Sequence, residues 1–178
     1  MKRPLALMAL ATVAAVASAQ DNELAVNHVI VHERLHTAGQ PDETQLATLA
    51  DRGFDLVINL APPSAENAVH TEGQLVTEDG VAYVNIPVNW QDPQYQDFAL
   101  FSAVMGAAGD RRVLVHCMVN ARASMFTFLY QAVHAGVPVD DAYDVVEQVW
   151  EPERAEQWVA FGRMVLDRHG IEHDLFGE

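Results

Sequence analysis

The chain has 178 residues, half of them hydrophobic, which suits one globular domain with a sizeable core. Its 25 acidic residues outnumber 10 basic ones, so the net charge is −15. A surface of that sign repels nucleic acid and anionic lipid, and we expect neither as a partner. The single cysteine excludes an internal disulfide bond.

The first 19 residues have the pattern of a secretory signal peptide. Lys2 and Arg3 precede an apolar run over residues 4–16, and Ala-Ser-Ala at residues 17–19 is a small-x-small cleavage site. The apolar run is short for a bilayer, which disfavours a single-pass anchor. We therefore predict a periplasmic or secreted protein without membrane insertion after cleavage, in which residues 20–178 form a single domain with a net charge of −17.

Hydrophobic periodicity and turn residues predict an alternation of strands and helices along the mature chain. In chain order these are strand 25–32, helix 42–50, strand 55–60, a short helix or loop over 64–78, strand 81–88, a helix beginning after residue 92, strand 113–115, helix 125–133, and helices 139–150 and 153–168. This order predicts a three-layer α/β/α fold with a mostly parallel central sheet. We expect the tail from residue 169 to fray.

Some side chains in these elements have predicted structural roles. Asp42 and Gln45 form a capping box at the first predicted helix, and Trp150 and Trp158 are expected in the core. Two histidines, at positions 28 and 32, share one face of the first strand. We interpret them as ordinary strand residues, because nothing nearby completes a metal site.

Residues 113–124, Val-Leu-Val-His-Cys-Met-Val-Asn-Ala-Arg-Ala-Ser, join a predicted strand to a predicted helix and contain the only cysteine. A tight strand-to-helix turn over residues 116–124 aims backbone N–H groups and the positive end of the helix at one point, which makes an anion site. A thiol at that point is acidified by the helix N-terminus and a nearby arginine. The turn therefore offers Cys117 as a nucleophile beside an oxyanion cradle.

This segment resembles the phosphate-binding loop of the cysteine-dependent protein tyrosine phosphatases, in which His-Cys, a loop and Arg-Ser/Thr lie between a strand and a helix. Within that superfamily, residues 37–129 are most similar to the bacterial beta-lactamase hydrolase-like, phosphatase-like group. The similarity lies in Ala-Gly-Gln-Pro at 38–41, Val-Ile-Asn-Leu at 57–60 and Val-Asn-Ile-Pro-Val at 84–88. The resemblance implies the same α/β fold, and we expect no metal and no cofactor.

The resemblance also implies roles for individual residues. Cys117 would form a phosphocysteine, His116 would tune it, Ser124 would hydrogen-bond the departing thiolate, and Asp92 would protonate the leaving group. The implied phosphate-binding residues are Met118, Val119, Asn120, Ala121, Arg122 and Ala123.

The spacing of the motif departs from the phosphatase pattern. Four residues separate Cys117 from Arg122, where the pattern has five, yet Ser124 keeps its usual distance from the cysteine. Ala123 then occupies the usual arginine position and Asn120 the position of a glycine. Since asparagine tolerates a positive φ, we predict that the loop keeps its length while the arginine moves one place forward. In addition, the chain has Ala61 where the family often has an arginine.

Two questions stay open at this stage. Asp92 precedes Pro93 at the start of an apolar-periodic segment, so it is either the general acid or a helix N-cap, with Asp97 as a second candidate acid. The protein is either a phosphatase acting on a phosphorylated small molecule or protein, or a weak or inactive relative that binds phosphate, sulfate or a phosphorylated ligand. Thiol redox work by the same cysteine is a third hypothesis.

Overall fold

The computed structural model describes residues 24–176, so the predicted signal peptide lies outside the described residues. Within them the chain forms a five-stranded sheet of order β1-β2-β5-β3-β4, in which β1 is antiparallel to β2 and the other pairs are parallel. The strands are β1 (Val29–His32), β2 (Leu35–Ala38), β3 (Leu56–Asn59), β4 (Ala82–Asn85) and β5 (Val113–His116). The predicted mostly parallel sheet is confirmed.

Helices cover both faces of this sheet. They are α1 (Glu43–Leu46), α2 (Glu72–Glu78), α3 (Tyr95–Ala108), α4 (Ala121–His134), α5 (Val139–Glu147) and α6 (Glu156–Arg168), with a short 3-10 helix at Pro152–Arg154. The side chains of α1 and α2 pack in one hydrophobic cluster, and those of α3 to α6 pack in the other. None of the helices in the described part of the chain combines the length and apolarity needed to cross a membrane.

The alternation of strand side chains accounts for the two clusters. Leu114 of β5 and Val57 of β3 belong to the cluster under α1 and α2, whereas their neighbours Val115 and Ile58 belong to the cluster under α3 to α6. All four residues are buried. A sheet buried on both faces gives continuous apolar strands, as the sequence shows.

The first part of the chain differs from the prediction. The capping box of Asp42 and Gln45 is confirmed, but the helix it begins is only one turn long. The single predicted strand 25–32 is replaced by the shorter β1 and by β2, which no pattern indicated. Strand β2 lies between β1 and β5, and it carries His36 and Thr37, both of which are buried. Because these two residues are polar, the sequence lacks the apolar run that would have predicted a central strand.

The prediction that the tail frays is wrong for residues 169–176. The Phe176 ring is buried against α6, where Gly162 leaves room for it: a Cβ on that glycine would lie 2.7 Å from the ring. The Arg163 Nη2 group also donates a hydrogen bond to the Phe176 carbonyl oxygen, at 2.6 Å. An aromatic anchor and a hydrogen bond therefore fix the end of the described chain.

Candidate functional site

Three loops meet at the carboxyl edge of the parallel strands. The register places Asn59 at the end of β3 beside His116 at the end of β5 and beside Asn85 at the end of β4. The chain segments that follow these residues therefore begin side by side. Ligand sites of open α/β sheets lie at this edge.

The loop after β5 is a tight turn, as predicted. Asn120 has φ 74°, so it adopts the left-handed conformation that the sequence suggested, and α4 begins at the next residue. Its side chain bonds away from the helix: Nδ2 donates to the Thr37 hydroxyl oxygen at 2.9 Å and to the Asn27 carbonyl oxygen at 2.5 Å. The start of α4 therefore has no side-chain cap.

Neighbouring segments hold the carbonyl groups of this loop. The Met118 carbonyl accepts from Gln40 N at 3.1 Å and from Asn67 Nδ2 at 3.0 Å, and the Val119 carbonyl accepts from Asn27 Nδ2 at 2.9 Å. In a trans peptide the N–H points opposite to the carbonyl, so the N–H groups of residues 119 and 120 face away from these partners. The hydrogen bond from the Ser124 N–H to the Asn120 carbonyl begins the ladder of α4, so the N–H groups of residues 121–123 have no partner within the helix, and such a helix end favours an anion.

A glycine next to the loop allows this close packing. Gly39 lies opposite Val119, and a Cβ on the glycine would come within 3.0 Å of the Met118 carbonyl oxygen. Its own N–H donates to the Val26 carbonyl oxygen at 2.7 Å. The Ala-Gly-Gln-Pro segment thus supports the wall of the loop.

The cysteine lies at the base of the loop. Cys117 is fully buried, and its N–H donates to the Ala38 carbonyl oxygen at 3.2 Å. Ser124 is buried in the first turn of α4, where its hydroxyl donates to the Ala121 carbonyl oxygen at 3.1 Å. The serine hydroxyl is therefore engaged with the helix backbone in this structure.

The arginine next to the loop is also buried, with 6% of its surface exposed. The Nε group of Arg122 donates to the Val88 carbonyl oxygen at 3.0 Å, and its Cζ atom lies 5.3 Å from the centre of the Trp90 ring. In the described part of the chain the guanidinium hydrogen-bonds through Nε alone, which leaves the Nη donors to a ligand. The guanidinium therefore points neither to solvent nor to a carboxylate.

Three tryptophans form a cluster beside the arginine, which itself contacts Trp90. The ring of Trp90 lies 5.0 Å from that of Trp158 and 5.4 Å from that of Trp150, measured between centres. Trp158 is fully buried, as predicted, and its Nε1 donates to the Trp90 carbonyl oxygen at 3.0 Å. Trp150 packs against the core but is only half-buried, and it lines a cleft of about 400 Å³ together with Trp90. Its prediction as a core residue is therefore correct only in part.

The structure excludes one of the two roles considered for Asp92. The N-cap of α3 is Gln94, so the alternative of Asp92 as the cap is wrong; the helix begins at Tyr95, two residues further along than that cap would require. Asp92 is exposed in the loop after β4. Asp97 lies in the first turn of α3, where burial raises the pKa of its carboxyl group against the opposing effect of a hydrogen bond from the Gln94 N–H.

A buried carboxylate that the sequence did not indicate lies behind the loop. Glu72, the first residue of α2, is 3% exposed, and its Oε1 atom lies 2.5 Å from Nε2 of the fully buried His116. Its other oxygen, Oε2, accepts from Gln40 Nε2 and Asn59 Nδ2, both at 3.0 Å. No local pattern reveals this contact, because Glu72 and His116 are 44 residues apart and an acidic first helical turn is common.

Of the two histidines predicted in the first strand, His32 ends β1 and His28 lies just before it. His28 stacks on His36, with 2.9 Å between Nε2 of the first and Nδ1 of the second, whereas His32 Nδ1 accepts from the Arg34 N–H. Residues 24–176 contain no group of three or more acidic, histidine or cysteine side chains placed to hold a metal ion.

Comparisons with known proteins agree with this geometry. A beta-lactamase hydrolase-like protein of Xylella fastidiosa is 29% identical over 116 residues, which is 64% of this chain and 27% of that protein. The chain thus spans about a quarter of the length of this curated relative. A solved structure from Shewanella putrefaciens, described as a candidate phosphatase, is 36% identical, with a TM-score of 0.75 over 83% of this chain and 92% of that one.

A more distant structure shows the shared fold. The kinase associated phosphatase, solved with serine in place of its catalytic-site cysteine, has a TM-score of 0.64 at 10% identity over 78% of this chain and 89% of that one. Residues 27–134 match the sequence profile described as "Beta-lactamase hydrolase-like protein, phosphatase-like domain". The matched range runs from the start of the sheet to the end of α4 and contains the whole loop. The chain therefore belongs to the phosphatase-like domain family of the beta-lactamase hydrolase-like proteins, within a protein tyrosine phosphatase-like fold.

Proposed function

We propose that this protein is an exported, cysteine-dependent phosphatase that hydrolyses a phosphomonoester through a phosphocysteine intermediate. The observation that carries the proposal is the coincidence of three groups at one strand end: the Cys117 thiol, the uncapped N-terminus of α4, and the buried guanidinium of Arg122. A nucleophile, backbone donors and a cation together suit phosphoryl transfer.

In the first step the Cys117 thiolate attacks phosphorus, an S–P bond forms, and the bond from phosphorus to the leaving oxygen breaks. The N–H groups of residues 118–123 and the Nη donors of Arg122 stabilise the three equatorial oxygens. Asp92 gives its proton to the leaving alcohol or phenol, because an alkoxide leaves poorly. The protein then carries a phosphocysteine and an ionised Asp92.

In the second step water attacks the phosphocysteine. The Asp92 carboxylate removes a proton from this water, the S–P bond breaks, and inorganic phosphate leaves. Ser124 stabilises the departing thiolate, which requires its hydroxyl to turn from the Ala121 carbonyl toward sulfur.

The net charge of the protein restricts the class of substrate that can bind. The mature chain has a net charge of −17, so the long-range field repels phosphorylated substrates. Affinity must come from the local donors of the loop and from Arg122. We therefore expect a small phosphorylated molecule, or a single phosphorylated side chain of a protein, to bind in a confined site.

Turnover of an aryl phosphate by purified mature protein tests the proposal. We expect release of phosphate by the wild type and a loss of about three orders of magnitude or more in the Cys117→Ser variant. Trapping with acid should give a cysteine-linked phosphoryl group by mass spectrometry in the wild type alone. Wild-type turnover equal to that of Cys117→Ser would refute the enzyme hypothesis.

Export has its own test. Expression of the 178-residue sequence should yield a periplasmic or secreted product that has lost residues 1–19. Its mass and its N-terminal sequence should show that the product begins at Gln20. A cytoplasmic product that keeps residues 1–19 would contradict this part of the proposal without affecting the chemistry.

A second function, binding without turnover, is supported by the burial of the cysteine and by one contact of the arginine. The thiol of Cys117 has no exposed surface, and Arg122 is tied to the Val88 carbonyl group. A loop held in this way binds an anion and attacks it poorly. Phosphate or vanadate raising the melting temperature of a protein without turnover would favour this binding function, by linkage.

A further inference from the structure

Glu72 and His116 form a deeply buried side-chain contact behind the loop, with 4% and 0% of their side-chain surfaces exposed. The Glu72 carboxylate lies in the fold where water cannot screen it, and a buried ionised carboxylate needs hydrogen-bond donors on both oxygens. Three side chains supply donors: His116 to Oε1, and Gln40 and Asn59 to Oε2. This set of donors fits the ionised form of Glu72.

The orientation of the Asn59 amide follows from its other contacts. Its Oδ1 atom accepts from the Ala61 N–H at 2.7 Å, so Nδ2 must be the atom that faces Glu72. The Oε2 atom of Glu72 is therefore committed to amide donors. The imidazole of His116 completes the set through Nε2–H.

The other ring nitrogen of His116 indicates the tautomer. Nδ1 is buried without a hydrogen-bond partner. A proton on Nδ1 would place an unpaired N–H donor in the core, whereas a bare Nδ1 leaves only an unpaired acceptor. The geometry thus favours a neutral imidazole with its proton on Nε2, bonded to Glu72.

We propose that Glu72 is a positioning residue for the nucleophile. Its carboxylate holds His116 as the Nε2–H tautomer directly before Cys117, and so fixes the point at which β5 passes into the phosphate-binding loop. The role rests on the proposed function of Cys117 as the nucleophile. It adds a carboxylate on α2 to the group of residues that act on the reaction.

The wild-type protein provides a first test that needs no substitution. With ¹⁵N and ¹³C labelling, long-range ¹H–¹⁵N correlation spectra assign the two ring nitrogens of His116. We expect the pattern of an Nε2–H tautomer at neutral pH. An imidazolium, or a proton on Nδ1, would overturn the proposal whatever the activity of the protein.

The Glu72→Gln variant provides the second test, since glutamine has one oxygen for three donors. The two amide donors claim that oxygen, so the new NH₂ group faces His116 Nε2 and drives the imidazole proton to Nδ1. We expect the tautomer to switch in the spectrum, and kcat on an aryl phosphate to fall by about tenfold to a hundredfold, as for other residues that orient a reacting group. KM should change little, because Glu72 does not touch the substrate site.

Glu78→Gln is the matched control, because Glu78 lies exposed at the end of the same helix. It should leave kcat and the His116 spectrum unchanged. A fall in kcat of Glu72→Gln without a tautomer switch, or an equal fall in Glu78→Gln, would overturn the positioning role. If the wild type has no turnover, the rate of Cys117 alkylation by iodoacetamide replaces kcat: a slower rate in Glu72→Gln supports the role and an equal rate overturns it.

Discussion

The two faces of the sheet support the cysteine loop by different means. We name the supports by their members: the polar flank consists of Asn59, Glu72 and His116, and the aromatic flank consists of Trp90, Trp150 and Trp158. The polar flank lies on the side of α2 and the aromatic flank on the side of α6. The first is a chain of hydrogen bonds and the second is a cluster of rings packed at tilted and edge-on angles.

This difference predicts opposite responses to substitution. Ring packing depends on buried area and tolerates another ring of similar size, whereas a hydrogen-bond chain depends on which atom carries a proton. A nearly isosteric change should therefore be mild on the aromatic flank and severe for activity on the polar flank. Glu72→Gln tests the polar flank, and the predictions below test the aromatic flank and the loop that both flanks support, from the largest expected effect to the smallest.

Truncation of Trp158 should have the largest effect. The Trp158→Ala substitution removes a fully buried ring, so we expect the free energy of unfolding to fall by about 3–5 kcal/mol. Trp158→Phe keeps most of the area and loses the hydrogen bond to the Trp90 carbonyl, a cost of about 1 kcal/mol. Urea unfolding measures both values, and equal losses would break the contrast between the flanks.

Removal of the Arg122 guanidinium should act mainly on the reaction. We expect Arg122→Ala to lower kcat by roughly a hundredfold to a thousandfold, because it takes away a donor to the phosphoryl oxygens. Arg168→Ala is the control, since that side chain lies exposed over Tyr95. A wild-type kcat in Arg122→Ala would show that the guanidinium held against Trp90 serves packing alone.

The left-handed residue of the loop allows a finer test. A φ of 74° strains alanine, which has a Cβ atom, but does not strain glycine. Asn120→Ala should therefore be less stable than Asn120→Gly by about 1–2 kcal/mol. Both variants lose the same two side-chain hydrogen bonds, so their difference isolates the backbone. Equal stability in chemical denaturation would mean that the loop has relaxed from this conformation.

The smallest effect is expected at Asn67, whose side chain donates one exposed hydrogen bond to the Met118 carbonyl. Asn67→Ala should lower stability by about 0.5–1 kcal/mol. Phosphate should still raise the melting temperature as much as in the wild type. A loss of that response would show that a single outer hydrogen bond sets the direction of the loop N–H groups.

The parts of this fold that local patterns specify could be predicted from the sequence. Apolar runs gave the buried strands β3 and β5, the Asp42 capping box marked a helix start, and the choice of Asn120 pointed to a positive φ. Each of these depends on residues within a few positions of one another, so sequence order carries the information.

Features that depend on distant partners could not be predicted. Strand β2 contains His36 and Thr37, whose burial is possible only because residues far along the chain surround them. The partner of Glu72 is 44 residues away, and the pocket for Phe176 exists only because α6 has a glycine facing it. A polar strand, a buried carboxylate and an anchored tail all gain their stability from tertiary contacts.

The burial of α4 determines which parts of the chain around the loop stay fixed and which can open. Ten of its 14 residues are buried, including Arg122 and Ser124 in the first turn. Buried elements of this kind belong to the part of a domain that opens least often. We therefore expect α4 to hold Arg122 and Ser124 in place, while local opening concentrates in the more exposed segments at residues 61–71 and 89–94.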